Sequence, residues 1–542
     1  MKKIAALLVA GILLAACTKV ATSARAGAAN AWTIPGTLRV GASQEPDSLN
    51  PVIGSMAFAA DVYNLVFDGL IRYNDKAEPI PDLALEVPTQ QNGGISKDGK
   101  TLTYHLVHNA TWHDGVPFTA ADVIFTWRAI MNPANNTATR DGYDRISAIS
   151  APDPYTVVVK FREPYAPGIY LFRDLNQGAI LPAHLLGNLK NINAVPFNQK
   201  PIGTGPFILK EWNHGSEIVL DANPHYFGGK PKIEHVIWKF IPDQNTLVEQ
   251  LKTHEIDFAG TVPANSYDEI KAIPGIVVKT TSTLHWEHLV FNVRKAPLDD
   301  RRVRLALCYA LDEDAIFHNI YHALGTKGPT DQNPDFKWYN KKLAYYPHDL
   351  KKAAELLDAA GWKLGSGGYR AKRGARLSIG ISSVAGNKPR EALEVLLQSE
   401  YKAVGVDLVI KNYPAATLFA PMQTGGVLYG GKYDMAIFQW DNNTPDPDDS
   451  TYIGPEWIPP RGQNMMFYQN PVVGHAQHEA TRVFDFAQRK ALYDRIQAEI
   501  LRDVPEYTLI WQAQIDAANT DLVGLKLAPV GSDFWNVAQW SI

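Results

Sequence analysis

The chain has 542 residues, 46% of them apolar and 20% charged, with 52 basic against 56 acidic side chains. That apolar content fills a large core and excludes a disordered, collagen-like or coiled-coil chain; the near-neutral balance excludes the basic face a nucleic-acid binder needs. At about 100 to 200 residues per domain the length allows two to four domains, and 13 Trp, 23 Tyr and 36 Pro suit loop-rich, aromatic-lined surfaces better than a helical bundle.

Met1-Lys2-Lys3 leads into an apolar run of 13 residues, Ile4 to Ala16, and then Cys17. A basic start, an apolar stretch and small residues before a cut site describe a secretion signal over residues 1–16, and the run is too short for a stable membrane span. Leu14-Ala15-Ala16-Cys17 resembles a bacterial lipoprotein box, which implies acylation of Cys17 as the mature N-terminus. Residues 17–31 are rich in Ala, Thr, Ser and Gly without periodicity, as in a flexible tether. Loss of residues 1–16 removes two lysines and no acid, leaving 50 basic against 56 acidic residues, or −6.

Further along, Leu38–Ala42 reads as a first strand and Ala60–Ile71 as a helix ending near Gly69. Leu102–Leu106 and Thr156–Phe161 read as strands. Between them Thr119 caps a helix with Asp122 in its first turn, followed by Val123, Phe125, Trp127 and Ile130. Cys308 falls on the stripe Val303, Ala306, Leu307, Ala310 and Leu311, the pattern of a small core residue rather than a nucleophile. Asp349 caps a helix from Leu350 that Gly361 stops. Arg390–Val404 is helical, followed by Gly405 and the strand Val406–Ile410. Met435–Phe438 reads as a buried strand, Ala487–Arg502 as an amphipathic helix, and Tyr507–Trp511 as a strand. Helix–Gly–strand units of this kind indicate a mixed α/β sheet with several lobes.

Enzyme signatures are missing: His-Glu-x-x-His, Gly-x-Ser-x-Gly, a P-loop and a Gly-x-Gly-x-x-Gly after a strand. His105, His108 and His113 cluster in sequence, and His285 and His288 form a His-x-x-His, but 105/108 and 285/288 fall on opposite faces of strands, which favours structural roles over metal ligation. Asp441–Asp449 is densely acidic yet lacks the central Gly and closing Glu of a calcium loop; alternating Asp and Pro form consecutive tight turns. On this chemistry the chain is a binder, with no cofactor and no metal.

Several segments spread across the mature chain resemble one family. They are Glu45-Pro46-Asp47-Ser48-Leu49-Asn50-Pro51, Val66–Leu70, and Trp112–Val123, close to the signature W-x-D-G-x-P-x-T-A-x-D-V. Ile202–Phe207 matches a G-T-G-P-[YF] turn, and Phe291-Asn292-Val293 with Pro297–Leu307 matches N-x…P-[FL]-x-D-x-R-V-R-x-A. Together they are similar to the family 5 extracellular solute-binding proteins of ABC importers, the dipeptide-, oligopeptide- and nickel-binding group. The resemblance implies an α/β, three-lobed type II periplasmic-binding-protein (venus-flytrap) fold. Lobe I would comprise 32–66, 199–284 and 511–542, lobe II an insertion at 67–198, and lobe III 285–510. Hinge strands would lie near 284 and 510, and the solute in a cleft between lobes I and III.

In peptide-binding relatives a Trp-x-x-Asp-x-x-Asp-Pro segment holds the ligand, its first Asp pairing with the α-ammonium. Aligning Trp440 and Asp446-Pro447 puts Asn443 at that anchor. Asn offers a neutral carbonyl and an NH2 donor, suited to a hydroxyl, amide or carbonyl, where a carboxylate gives a charge-assisted bond roughly twice as strong; Asp441 compensates if the loop is re-aimed. Both a zwitterionic peptide and a different solute (sugar, metal chelate, opine) therefore stay open. By position, Ser55 and Met56 correspond to the first-lobe strip, Trp286 and Trp440 offer aromatic contact or core packing, and Phe438 reads as core. The expected molecule is a monomeric, lipid-anchored, non-catalytic periplasmic or cell-surface receptor whose partners are its solute and an ABC permease and ATPase. A sensory receptor of the same fold is the alternative, and a secreted hydrolase the remote one.

Overall fold

Local signals set most element ends. Thr119 and Asp122 form the reciprocal capping box of the helix Ala120–Met131. The Asp349 carboxylate accepts from Lys352 N–H to open Leu350–Ala359, and Gly361 ends that unit at φ +88°, a left-handed conformation costly for any side chain. Asn387 caps Lys388–Ala403 and Asp485 caps Phe486–Asp503 in the same way. Cys308 is fully buried within Arg301–Tyr309. The computed structural model describes residues 30–54, 56, 58–137, 139–174, 178–441 and 444–542; the expected signal, Cys17 and most of the tether, together with Ser55 and Asn443, lie outside the described residues.

The helix expected over Ala60–Ile71 is shorter. It runs Ala59–Val66, Phe67 turns extended at φ −124°, and Ile71–Tyr73 is a strand paired with Pro79–Pro81. Long-range contacts override the pattern here. The Val66 carbonyl takes its hydrogen bond from Gly205 N–H at 2.9 Å, and the Asp68 carboxylate is held by the Thr204 hydroxyl at 2.8 Å and by Arg72.

One mixed sheet of ten strands organises the chain, in the order Asp407–Ile410, Ser378–Ser382, Met435–Asp441, Ile276–Phe291, Glu506–Asn519, Phe258–Ala259, Thr37–Ala42, His235–Phe240, Glu217–Ala222, Phe207–Asn213. The two central strands are long and antiparallel. Residues 276–282 pair with 519–513, and residues 286–290 with 511–506; between them the ladder breaks, three residues (Thr283–His285) standing against Gln512. On one side of the break the long strands lie beside Phe258–Ala259 and the N-terminal strands; on the other, beside Met435–Asp441. The sheet is thus two halves joined by two strands.

Alternation divides the second half's residues between two cores. Leu289, Phe291, Met435 and Ile437 enter one apolar cluster, and Trp286, Val290, Ala436 and Phe438 the other; a fully buried side chain of this size contributes about 1.5–3 kcal/mol. Within residues 67–198 a separate antiparallel sheet forms in the order Thr101–His105, Thr156–Phe161, Ile146–Asp153. Its core runs continuously into Leu38 and Val40 of the first strand. This segment also touches the second half: Ala166 N–H donates to Thr481 O at 2.7 Å, and Glu163 pairs with Arg482.

Candidate ligand cleft

The break in the long ladder is where the candidate site forms. The loop after helix Glu313–Asn319 crosses this point: Thr326 forms an isolated bridge with Trp511, and the Asn333 amide donates to Thr283 O at 2.7 Å. Gly325 permits the crossing, since at φ +125° a Cβ would lie 2.4 Å from Trp511 O. Thr283 Oγ1 donates to Gln512 O at 2.7 Å, so a side chain replaces the missing ladder bond.

Against this junction lies a cavity of about 150 Å³, lined by residues from three distant stretches: Lys76–Glu78, Asp331–Trp338, and Thr444–Asp446 with Leu284 and Trp511. Its rim is charged and exposed, with Lys76 and Lys337 opposed in sign to Glu78 and Asp335, whereas Asp331, Trp338, Asp446 and Trp511 are buried. Asp446 is neutralised by Arg489, which donates through both terminal nitrogens at 2.6 and 2.7 Å. The Asp335 carboxylate accepts from the hydroxyls of Thr326 and Ser282, fixing the loop to the strand.

Acids crowd beneath the floor. Asp331 accepts from Gln332 Nε2 at 3.0 Å and shares a side-chain hydrogen bond with Asp449, whose carboxyl is pushed well above the usual range by burial and by Asp331. Gln477 donates to the Asp449 carboxyl at 3.1 Å. Nearby, Glu506 is raised to about 8 by burial and by Asp331. The Tyr452 hydroxyl bridges Glu506 Oε2 at 2.8 Å and His288 Nε2 at 2.6 Å, and burial lowers His288 to about 3, so its ring is neutral.

Trp286 is fully buried. It stands in register between Trp440 and Trp511, so the three indoles share one sheet face; its ring centroid is 4.9 Å from that of Trp511, which lines the cavity in front of it. Trp440 is partly exposed and stacks on Tyr452 at 4.5 Å. Asp441, the next residue on that strand, faces the opposite side of the sheet, 3.7 Å from His285 Nδ1. Met56 is partly buried against the first core. The turns read into the acidic stretch are present: Asp446 N–H bonds Thr444 Oγ1, Asp448 N–H bonds Asp446, and Ser450 N–H bonds Asp448. The segment Asp331–Trp338, Lys76–Glu78 and Trp511 were not singled out from sequence. The only local signal was the turn-rich Gly328-Pro329-Thr330-Asp331-Gln332-Asn333-Pro334.

Two half-sheets joined by two strands, a polar cavity at the junction and an inserted segment define a three-lobed type II periplasmic-binding-protein fold. Residues 78–454 match the family described as "Bacterial extracellular solute-binding proteins, family 5 Middle", and the chain belongs to that family. It is 28% identical to the "Oligopeptide-binding protein AppA" of Bacillus subtilis (strain 168), over 98% of this chain and 97% of that one. Among solved structures it is similar to AppA from Bacillus subtilis in complex with a nonapeptide (TM-score 0.74, 27% identity, 94% of this chain and 99% of that one). It is also similar to NikZ from Campylobacter jejuni in complex with Ni(L-His) (TM-score 0.77, 29% identity, 94% and 100%). The protein is therefore a solute-binding component of the ABC-importer type that acts outside the cytoplasm, and not an enzyme.

Proposed function

We propose that this chain is a lipid-anchored receptor, secreted through residues 1–16 and tethered by Cys17, that captures a peptide or peptide-sized polar solute and passes it as a monomer to an ABC permease and ATPase. In this reading lobe I comprises 32–66, 199–284 and 511–542, lobe II 67–198 and lobe III 285–510, with the hinge where Thr283–His285 face Gln512. Two strands crossing between half-sheets let the halves swing without breaking either ladder, and a solute held by both sides favours the closed form.

The observation carrying this reading is the cavity at the junction, with both signs of charge on its rim and aromatic rings in its wall. Opposed charges suit a zwitterion, and the indoles suit an apolar side chain.

Native mass spectrometry of freshly purified protein tests the proposal. A co-purifying mass of a short peptide or amino-acid-sized solute, lost on denaturation, is the expected result. A sugar, chelate or opine mass would move the solute to the non-peptide reading. Absence of both a retained mass and any thermal shift with pooled di- and tripeptides would count against peptide capture.

A further inference from the structure

A basic flap stands at the sheet edge remote from the cavity. Residues 361–377 carry Lys363, Arg370, Lys372, Arg373 and Arg376 and no acid, in a chain whose total is −4. They fold into a three-stranded meander of Lys363–Leu364, Arg370–Lys372 and Ala375–Arg376. Leu377 leads on into Ser378–Ser382, which with Asp407–Ile410 makes the outer end of the ten-stranded sheet; Met435–Asp441 separates these two from the long central strands. Packing accounts for two of the cations. Arg370 is buried and donates to Val404 O, Trp362 O and Asp358, and Lys372 donates to Ala360 O at 2.8 Å. The other three are at the surface. Lys363 and Arg376 flank Ala371 on one face of the meander, their side chains 70% and 53% exposed, and Arg373 crowns the exposed turn before Gly374. Among the described residues Asp358 and Asp407 are the carboxylates that pair with the flap, so five cations face two acids. Leu364 is 61% exposed beside them, and a Cβ at Gly367, Gly368 or Gly374 would meet nothing within 4 Å. The turns therefore stand clear of the body.

We infer that this flap rests on the anionic headgroups of the bilayer to which the chain is tethered. Basic side chains around an exposed leucine fit such a surface: the cations meet lipid phosphates while the apolar chain enters the interface. The inference rests on the lipid-anchored reading, in which a tether of residues 17–29, about 45 Å long at full extension, keeps a bilayer within reach of Asn30. The mature chain's balance of 50 basic against 56 acidic residues repels an anionic surface. Salt screens that repulsion beyond about 8 Å, so the local excess on the flap decides the contact and orients the molecule. An acyl chain and a basic patch together hold a protein to a membrane more firmly than either alone. Because the flap lies at the outer end of the sheet, this contact leaves the cavity at the junction uncovered.

Vesicle co-sedimentation tests this with the mature chain carrying Cys17→Ser, so that no acyl group contributes. Vesicles of phosphatidylglycerol and phosphatidylcholine in equal parts should bind it at low salt and release it at high salt; vesicles of phosphatidylcholine alone should not bind it. Lys363→Gln/Arg373→Gln, both at exposed positions, should weaken the partition about thirtyfold with an unchanged melt. Lys230→Gln/Lys232→Gln, an exposed pair before the strand His235–Phe240, should leave it within about twofold. No preference for the anionic vesicles, or an equal loss from the Lys230 and Lys232 pair, overturns the inference. Retention on immobilised poly-L-glutamate without binding to vesicles overturns it too, and assigns the flap to an acidic protein surface. An intact mass showing wild-type Cys17 without an acyl group sinks the lipid anchor instead, whatever the vesicles show.

Discussion

Arg489 and Asp446 form a two-armed ion pair out of contact with water, their side chains 6% and 3% exposed. The guanidinium Nε also donates to Ala480 O at 2.8 Å, and Arg489 lies 5.3 Å from the Trp338 ring centroid. The pair therefore fastens the loop that walls the cavity to the helix Phe486–Asp503. Arg489→Ala should cost about 3–5 kcal/mol, because the Asp446 carboxylate is left buried and unpaired, while the double variant Arg489→Met/Asp446→Leu should recover most of the loss. Urea midpoints of the three proteins check this; a single variant no less stable than the double would contradict it.

Stability should also depend on pH through Glu506 and His288. Native Glu506 keeps its proton to about 8 against an ordinary 4.5. The unfolded chain therefore holds fewer protons than the native one between those values, and stability falls as pH rises through that window, by about 1.4 kcal/mol per unit at the steepest. His288 is opposite in sign: lowered to about 3 from 6.5, it supports the fold above 6.5 and loses that support as pH falls toward 3. Glu506→Gln, which mimics the neutral acid, should flatten the alkaline side, so that its midpoint gain over wild type is larger at pH 8 than at pH 5. Parallel profiles would refute the assignment.

The loop crossing at Gly325 is expected to be intolerant of any side chain. Gly325→Ala meets the Trp511 carbonyl at 2.4 Å, with Ile510 Cδ1 at 2.9 Å, and adopts φ +125°. A loss of about 2–4 kcal/mol is expected from the backbone clash and the left-handed strain together. Ala at Gly367, where a Cβ has open space, serves as the control. Equal melting temperatures for the two variants would show that the loop moves freely.

The Glu163–Arg482 contact predicts kinetics rather than stability. Both side chains are 38% exposed, so Arg482→Ala should change the unfolding free energy by less than about 1 kcal/mol. Because the pair joins the segment 67–198 to the second half of the sheet, its loss should accelerate solute release severalfold, read by stopped-flow fluorescence with whichever probe binds. A release rate unchanged by Arg482→Ala, with affinity also unchanged, would assign the contact no part in closure.

The legible parts of the sequence were those decided within a few residues. Thr119 with Asp122, Asp349, the stripe around Cys308 and the strand Thr156–Phe161 all carry their structure in local chemistry, and the family motifs supplied the architecture. The helix end at Val66 was not legible, because Gly205, far along the chain, takes the carbonyl that would have continued it. Nor was the cavity. Lys76, Asp331, Thr444 and Trp511 meet only through the strand order, and no spacing along the chain announces them. Trp286 shows the limit most clearly: whether an indole in a strand lines a site or backs one depends on its cross-strand partners, here Trp440 on one side and Trp511 on the other.

That row of indoles has an optical consequence. Trp286 and Trp511, 4.9 Å apart at an interplanar angle of 34°, are close enough for their excited states to mix, and they straddle the two strands that connect the half-sheets. Trp440 extends the array to a partly exposed ring. All three rings belong to one half-sheet ladder, so motion between the halves leaves the coupling in place, whereas a solute packing against Trp511 at the cavity wall perturbs it. The unlabelled protein thus carries its own chromophore for cavity occupancy, readable as a circular-dichroism couplet from the native tryptophans without any attached dye.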